Sequence, residues 1–251
     1  MKYLTRTRLA KDIVCEVAFP QRQRGKVAIV CGGAPGTPPN KKVLEFLALK
    51  GYVAFGMRYR GTWESEGSFL SESPAKDVAD VIDYLVKHKV IVDAWSGEKI
   101  DLKIKHIDLF GASFGGPAVL LNSKHPKVRK VIAMAPAIDF RVSGEGETFE
   151  DFVRFSQMGF GGAYRAKNKS DWKKLLKTDF YNPLTMTEKI NPVKCFVVQA
   201  LDDDVCPPEC LRELEAKISV ATYYKKKGGH LSITYITHKF FWKKIEKFLQ
   251  K

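Results

Sequence analysis

The chain has 251 residues, 45% of them hydrophobic, enough to bury a large core within one unit; a disordered or fibrous protein is excluded. Its formal net charge is +14, but no basic module interleaved with aromatics accompanies it, so no nucleic-acid partner is expected. That excess reads as a solvated lysine-rich surface of the kind thermophiles favour, the other reading being steering of anionic substrates.

No apolar run approaches the ~20 residues of a membrane helix, and residues 1–6 lack an apolar signal core, so no membrane partner is expected. Five cysteines without a regular framework suit a reducing cytosol, and the expected location is cytoplasmic.

In chain order, residues 4–19 read as two antiparallel strands, 13–17 being the clearer. Residues 27–31 form the next strand, and a Gly/Pro-rich loop covers 32–40. A helix follows over 41–50, ended by Gly51, and then a strand over 52–58. The helix over 74–88 carries Val78, Val81, Ile82, Leu85 and Val86 on one stripe, which suits packing against a sheet. Apolar runs at 104–110, 131–134 and 195–200 read as buried strands. A short helix is expected over 117–121, a helix over 207–217, a strand over 219–224, and an amphipathic helix at the end. Strands alternating with helices imply a mostly parallel sheet.

Residues 137–188 break that rhythm. Phe140, Phe149, Phe152, Phe155, Met158, Phe160 and Tyr164 crowd there, with glycines at 159, 161 and 162. Phe149, Phe152 and Phe155, spaced by three, either pack within this segment or line an acyl pocket.

The chemistry starts at Gly111-Ala112-Ser113-Phe114-Gly115. A serine with glycine two residues away on each side, between a strand and a helix, has the pattern of a nucleophile elbow. The serine occupies a strained turn, and glycine lets neighbouring backbone pass close by. An acid and a histidine follow in the order Ser, Asp, His, which suits a triad. The 195–200 strand empties into Asp202-Asp203-Asp204, and the 219–224 strand leads to Gly228-Gly229-His230. One helix and one strand separate the two loops, enough to return both to one sheet edge.

With those residues in view, the chain resembles the α/β-hydrolase superfamily, and within it the small serine esterases and acyl-peptide-hydrolase-like catalytic domains. Arg60-Gly61 followed by Ser65-Glu66-Gly67 is similar to the family's loop after the fourth strand, with Trp63 where a glycine usually stands. Asp77 opening a helix, residues 111–116, Ala200 to Pro207, and Gly229-His230 are further landmarks. One departure is Cys31-Gly32-Gly33-Ala34 where the family often has His-Gly.

The resemblance implies an α/β-hydrolase fold: a mostly parallel eight-stranded sheet with helices on both faces. It implies a single domain over 1–251, with 137–188 as a cap inserted over the active site. Ser113 is then the nucleophile, His230 the base and Asp203 the orienting acid. Ala200, Asp203, Val205 and Pro207 fit the family's acid loop; Asp202, Asp204 and, after the sixth strand, Asp139 remain alternatives. The oxyanion hole would use the backbone N–H of Phe114 and one from the loop after Cys31, Gly33 ahead of Ala34. Ala34, Trp63, Phe152 and Phe155 are the candidate substrate contacts.

The remaining histidines (His88, His106, His125 and His238) read as structural or solvated. Cys206 and Cys210 have prolines between them and no second ligand pair, so no metal site is expected. Serine at the elbow argues against a dienelactone hydrolase, which uses cysteine there, and against a haloalkane dehalogenase, which uses aspartate. The expected activity is carboxylester hydrolysis through an acyl-enzyme, without a cofactor, on a small-molecule ester. A peptidase or acyl-aminopeptidase, a thioesterase or a lipase could use the same triad, and a non-catalytic binding scaffold is the reading outside enzymes. Assembly as a homo-oligomer is left open.

Overall fold

The computed structural model describes residues 3–38 and 41–251. Met1 and Lys2 of the charged start, and Pro39 and Asn40 at the end of the expected 32–40 loop, lie outside the described residues. Two antiparallel strands come first, β1 (Leu4–Leu9) and β2 (Ile13–Ala18). Then follow β3 (Lys26–Cys31), α1 (Lys41–Leu49), β4 (Tyr52–Met57) and α2 (Pro74–His88). A small antiparallel pair, β5 (Val90–Val92) and β6 (Lys99–Asp101), was not anticipated. Its three-residue strands are too short to show an alternating pattern.

The chain continues through β7 (His106–Ala112), α3 (Gly115–Leu120) and β8 (Val128–Met134). Between β8 and β9 (Cys195–Ala200) stand α4 (Phe149–Gly159) and four 3-10 turns, the longest over Lys169–Leu176. The last elements are α5 (Pro208–Lys217), β10 (Ala221–Lys225) and α6 (Lys239–Leu249).

Eight strands form one sheet in the order β1-β2-β4-β3-β7-β8-β9-β10. It is parallel from β4 to β10 and antiparallel only where β1 and β2 join. Alternation along the central strands divides the core. Val27, Ile29 and Cys31 of β3 and Ile107 and Leu109 of β7 pack with α2, α3 and α5 on one face. Ala28 and Val30, with Phe110 and Ala112, pack with α1 and α6 on the other. Both faces are covered, which is why these strands read as continuous apolar runs.

Helix boundaries follow capping chemistry. The Ser73 hydroxyl accepts the Ala75 N–H ahead of α2, Pro74 takes the first turn, and Lys87 and His88 lie in the last turn, where cations suit the helix dipole. Val78, Val81, Ile82 and Leu85 of its apolar stripe are buried. Asp77, in the first turn, accepts the Arg60 backbone N–H at 2.9 Å and Arg60 Nη1 at 2.6 Å. This ion pair fastens the end of β4 to the start of α2.

The opposite, amino-terminal edge of the sheet is locked by a buried carboxylate. Asp108 of β7 is fully buried; it accepts from the Tyr52 hydroxyl at 2.7 Å and from Arg129 Nη2 at 2.5 Å. Arg129 also donates to the Leu249 carbonyl at 2.7 Å, tying down α6. No helix among the described residues is long and apolar enough to cross a membrane.

Candidate active site

Chain order reverses between β3 and β7: the chain steps from β3 outward to β4, then returns to the other side of β3 as β7. Cys31 and Gly111 are register partners there. A crevice outside the carboxyl ends of parallel strands at such a switch point is where ligands bind in open α/β sheets. The loop after β3 brings Gly32 and Gly33 to it, and the loop after β7 brings Ser113.

Ser113 has φ +51, in the left-handed region that side chains rarely adopt. Its N–H donates to the Met134 carbonyl at 3.0 Å, and its own carbonyl accepts from Gly116 at 2.9 Å and Ala137 at 3.1 Å. The flanking glycines are required by close approach. A Cβ on Gly111 would run into the Gly115 carbonyl, and one on Gly115 into the Cys31 carbonyl. Strand, turn and helix therefore interlock around the serine.

Asp203 is buried at the end of β9 and its carboxylate is saturated with donors. Oδ1 accepts the N–H groups of Val205 at 3.1 Å and Cys206 at 2.9 Å, and Oδ2 accepts Gln199 Nε2 at 2.8 Å. His230 Nδ1 lies 3.1 and 3.0 Å from the two oxygens. The neighbouring aspartates do other things. Asp202 is exposed and accepts the N–H groups of Gly228 at 2.7 Å and Gly229 at 2.9 Å, holding the loop that carries His230. Those bonds keep its carboxyl below the usual range. The Asp204 carbonyl accepts the Gly146 N–H at 3.0 Å. Asp139 is paired with Arg141 at 2.5 Å; burial works to raise its pKa, but those hydrogen bonds hold it below the usual value.

A small cleft of about 60 Å³ opens above Ser113. Phe114, Ile138, Phe140, Phe149 and Phe152 make its walls apolar, and Ala34, Cys206 and Cys210 also line it. No lysine or arginine is among the lining residues, despite the strongly basic chain. Glu147 does line the cleft; burial raises its pKa, partly offset by the nearby His230. The Cys206 thiol, pushed well above its usual pKa by burial, lines the same cleft as Ser113. Among the described residues no hydrogen bond joins Ser113 to His230; the Asp203 carboxylate that faces the imidazole also accepts the Cys206 N–H.

The Phe114 N–H has no protein acceptor among the described residues. A side chain at Gly33 would begin 3.2 Å from the Ser113 Cβ, so that backbone lies directly beside the serine. Two of the expected substrate contacts stand elsewhere. Phe155 is 54% exposed and packs edge-on against Phe160 on the outer surface of α4, away from the cleft. Trp63 lies in a neighbouring groove with Gly33 and Tyr164, its Nε1 donating to the Gly36 carbonyl at 3.1 Å. Ala34 and Phe152 do line the Ser113 cleft.

The remaining histidines have other neighbours. His125 Nε2 is 3.0 Å from Asp83, His88 stacks on Tyr84, and His238 precedes α6 beside Tyr235. His106 lies 3.9 Å from Asp108 at the far edge of the sheet.

Comparison with known proteins agrees with this architecture. An α/β hydrolase from Penicillium sp. superposes with a TM-score of 0.68 at 17% identity, covering 99% of this chain and 97% of that one. An esterase of Pyrococcus furiosus gives a TM-score of 0.67 at 16% identity, over 99% and 91% of the two chains. The acylaminoacyl peptidase of Pyrococcus horikoshii gives 0.65 at 17% identity, over 99% of this chain but 42% of that one. No curated protein sequence matches. The sequence profile described as X-Pro dipeptidyl-peptidase (S15 family) matches residues 15–206, most of the chain. The protein is therefore an α/β hydrolase, and it belongs to the X-Pro dipeptidyl-peptidase (S15) family.

Proposed function

We propose that the chain is a serine carboxylesterase working through a covalent acyl-enzyme, with residues 137–188 as the cap over its site. Ser113 Oγ attacks the ester carbonyl while His230 Nε2 takes its proton. The tetrahedral oxyanion is held by the N–H groups of Phe114 and Gly33. Its collapse expels the alcohol, which receives the proton from His230. Water, deprotonated in turn by His230, then hydrolyses the acyl-serine and restores the enzyme. Asp203 keeps Nδ1 protonated and stabilises the imidazolium.

The observation that carries this reading is the paired contact of His230 Nδ1 with Asp203, 27 residues apart in sequence, together with the left-handed turn at Ser113. The serine hydroxyl must turn toward His230 when substrate enters; such bonds often tighten only in the complex. The apolar cleft suits a short acyl group.

A second reading is favoured by one side chain. Glu147 is a carboxylate in the cleft with no ion-pair partner among the described residues, and it would attract an ammonium group. Together with the family's name, this supports hydrolysis of short peptides with a free amino end. The test is a panel of p-nitrophenyl esters of graded acyl length set against aminoacyl-prolyl p-nitroanilides. Higher kcat/KM on the esters, abolished in Ser113→Ala, is the expected result. Preference for the anilides would replace the first reading with the second, and turnover surviving in Ser113→Ala would sink both.

A further inference from the structure

Two buried tyrosines lie against the main chain on either side of Ser113. The Tyr59 hydroxyl donates to the Gly32 carbonyl at 3.2 Å, and the Tyr181 hydroxyl donates to the Phe114 carbonyl at 2.6 Å. Tyr59 is 5% exposed and Tyr181 0%. Both rings pack on Phe114, with centroids at 5.4 and 5.2 Å. They come from distant parts of the chain, Tyr59 just beyond β4 and Tyr181 from the segment between β8 and β9.

The Gly32 carbonyl belongs to the same planar peptide unit as the Gly33 N–H. In a trans peptide these two groups point in opposite directions. Anchoring the carbonyl on Tyr59 therefore sets where the Gly33 N–H points. Glycine offers no side chain to do this, and Gly32 has open space where a Cβ would stand, so its peptide could otherwise turn freely. Tyr181 acts one peptide further on: the Phe114 carbonyl shares its plane with the Gly115 N–H, so Tyr181 holds the far side of Phe114, while the Phe114 N–H lies in the peptide of the Ser113 carbonyl, which Gly116 and Ala137 hold. A hydroxyl bonded to backbone at a buried position is an orienting device, since leaving either group unpaired would be unfavourable.

We propose that Tyr59 and Tyr181 are positioning residues for the oxyanion hole, setting the Gly33 and Phe114 N–H groups at the spacing a tetrahedral intermediate needs. This rests on the acyl-enzyme reading above, and it selects Gly33 over Ala34 as the donor after β3. Neither tyrosine touches substrate. Their effect belongs to the transition state, because the oxyanion forms only there.

The test is Tyr59→Phe and Tyr181→Phe, each of which removes one oxygen and keeps the ring. Tyr52→Phe is the control, the same change at a buried hydroxyl on the opposite sheet edge. With a short p-nitrophenyl ester, kcat should fall roughly tenfold to a hundredfold in the first two, below the 10²–10³ of losing a donor outright. KM should change less than threefold. The Ki of a trifluoromethyl ketone, which mimics the tetrahedral adduct, should rise in proportion to the fall in kcat/KM. Tyr52→Phe should lower the melting temperature and leave both constants alone.

Wild-type kcat in both variants would overturn the proposal. So would a fall in melting temperature with an unchanged Ki, which is what a merely structural hydroxyl would give. Should one variant not fold, the other carries the same test at its own side of the hole. Failure of the underlying reading is separately visible, as wild-type protein that hydrolyses no ester or a Ser113→Ala variant that still does.

Discussion

Asp202 accepts the Gly229 N–H at 2.9 Å, while its neighbour Asp203 faces the ring of the next residue, His230, at 3.0 Å. Consecutive carboxylates thus hold one loop in two ways, one through backbone and one through the imidazole. Replacing Asp203 with Asn should cut kcat by about 10³–10⁴, because the imidazole loses the partner that fixes its tautomer. Asp202→Ala should cost tenfold or less. A reversal of that ranking in steady-state kinetics would move the orienting role to Asp202.

The Asp202 clamp also titrates. Gly229 and then Gly228 donate to the ionised carboxylate, so its folded pKa lies below the ordinary value. Its contribution is therefore complete above the usual carboxylate range and is lost only as pH falls through the lowered folded value. The Gly229 amide proton resonance should follow this, moving upfield with a midpoint below the ~3.9 of a free aspartate. A midpoint at or above that value would contradict the clamp.

Arg129→Met should separate stability from chemistry. It leaves the fully buried Asp108 without its cation and frees the Leu249 carbonyl. The expected loss is about 3 kcal/mol, the low end for a broken buried pair, since the guanidinium is a third exposed. That corresponds to a melting temperature lower by roughly 10 °C. Because this network lies at the edge of the sheet opposite Ser113, kcat below the transition should be unchanged. A drop in kcat measured well below melting would refute the separation.

Phe152 and Phe155 should behave differently although they share a helix. Phe152 is 6% exposed, lines the cleft, and packs against Phe114, Phe140 and Trp172. Phe152→Ala should destabilise by about 3 kcal/mol or more and shift ester preference toward longer acyl chains. Phe155→Ala should change neither by a measurable amount. Thermal melts and the graded ester panel read both outcomes.

Glu147→Gln removes a charge from the cleft at constant size. For neutral p-nitrophenyl esters kcat/KM should stay within about threefold of wild type. For substrates with a free amino group it should fall tenfold or more, the worth of one partly desolvated ion pair. Equal effects on both classes would rule out amine recognition by this residue.

The sheet and its helices were legible in the sequence because each buried run and stripe had to meet another layer. The stripe of α2 and the strand ending at Ala200 are examples. Spacing alone does not give direction, and Phe155, one of the candidate contacts, faces outward. Steps of three on a 3.6-residue helix drift about 60° each, so the third aromatic points well away from the first. The β5–β6 pair left no pattern to find. Tyr59 and Tyr181 carry no motif either, since their hydroxyls act on carbonyls that every residue has. Tyr164, legible in the sequence only as one of several aromatics between 137 and 188, likewise bonds backbone, at Gly36.

That last contact spans 128 residues of chain, from Gly36 N–H to the Tyr164 hydroxyl at 2.8 Å. Links between such distant segments close large loops of chain and tend to form late in folding, whereas neighbouring strand–helix units form early. The backbone around Gly33 is therefore held in shape by some of the most long-range bonds in the molecule. In mild denaturant these should open before the sheet does, as local openings with their own smaller free energy. Enzymatic activity would then disappear while the circular dichroism of the folded protein persists, and turnover would report on a few distant hydroxyls rather than on the fold as a whole.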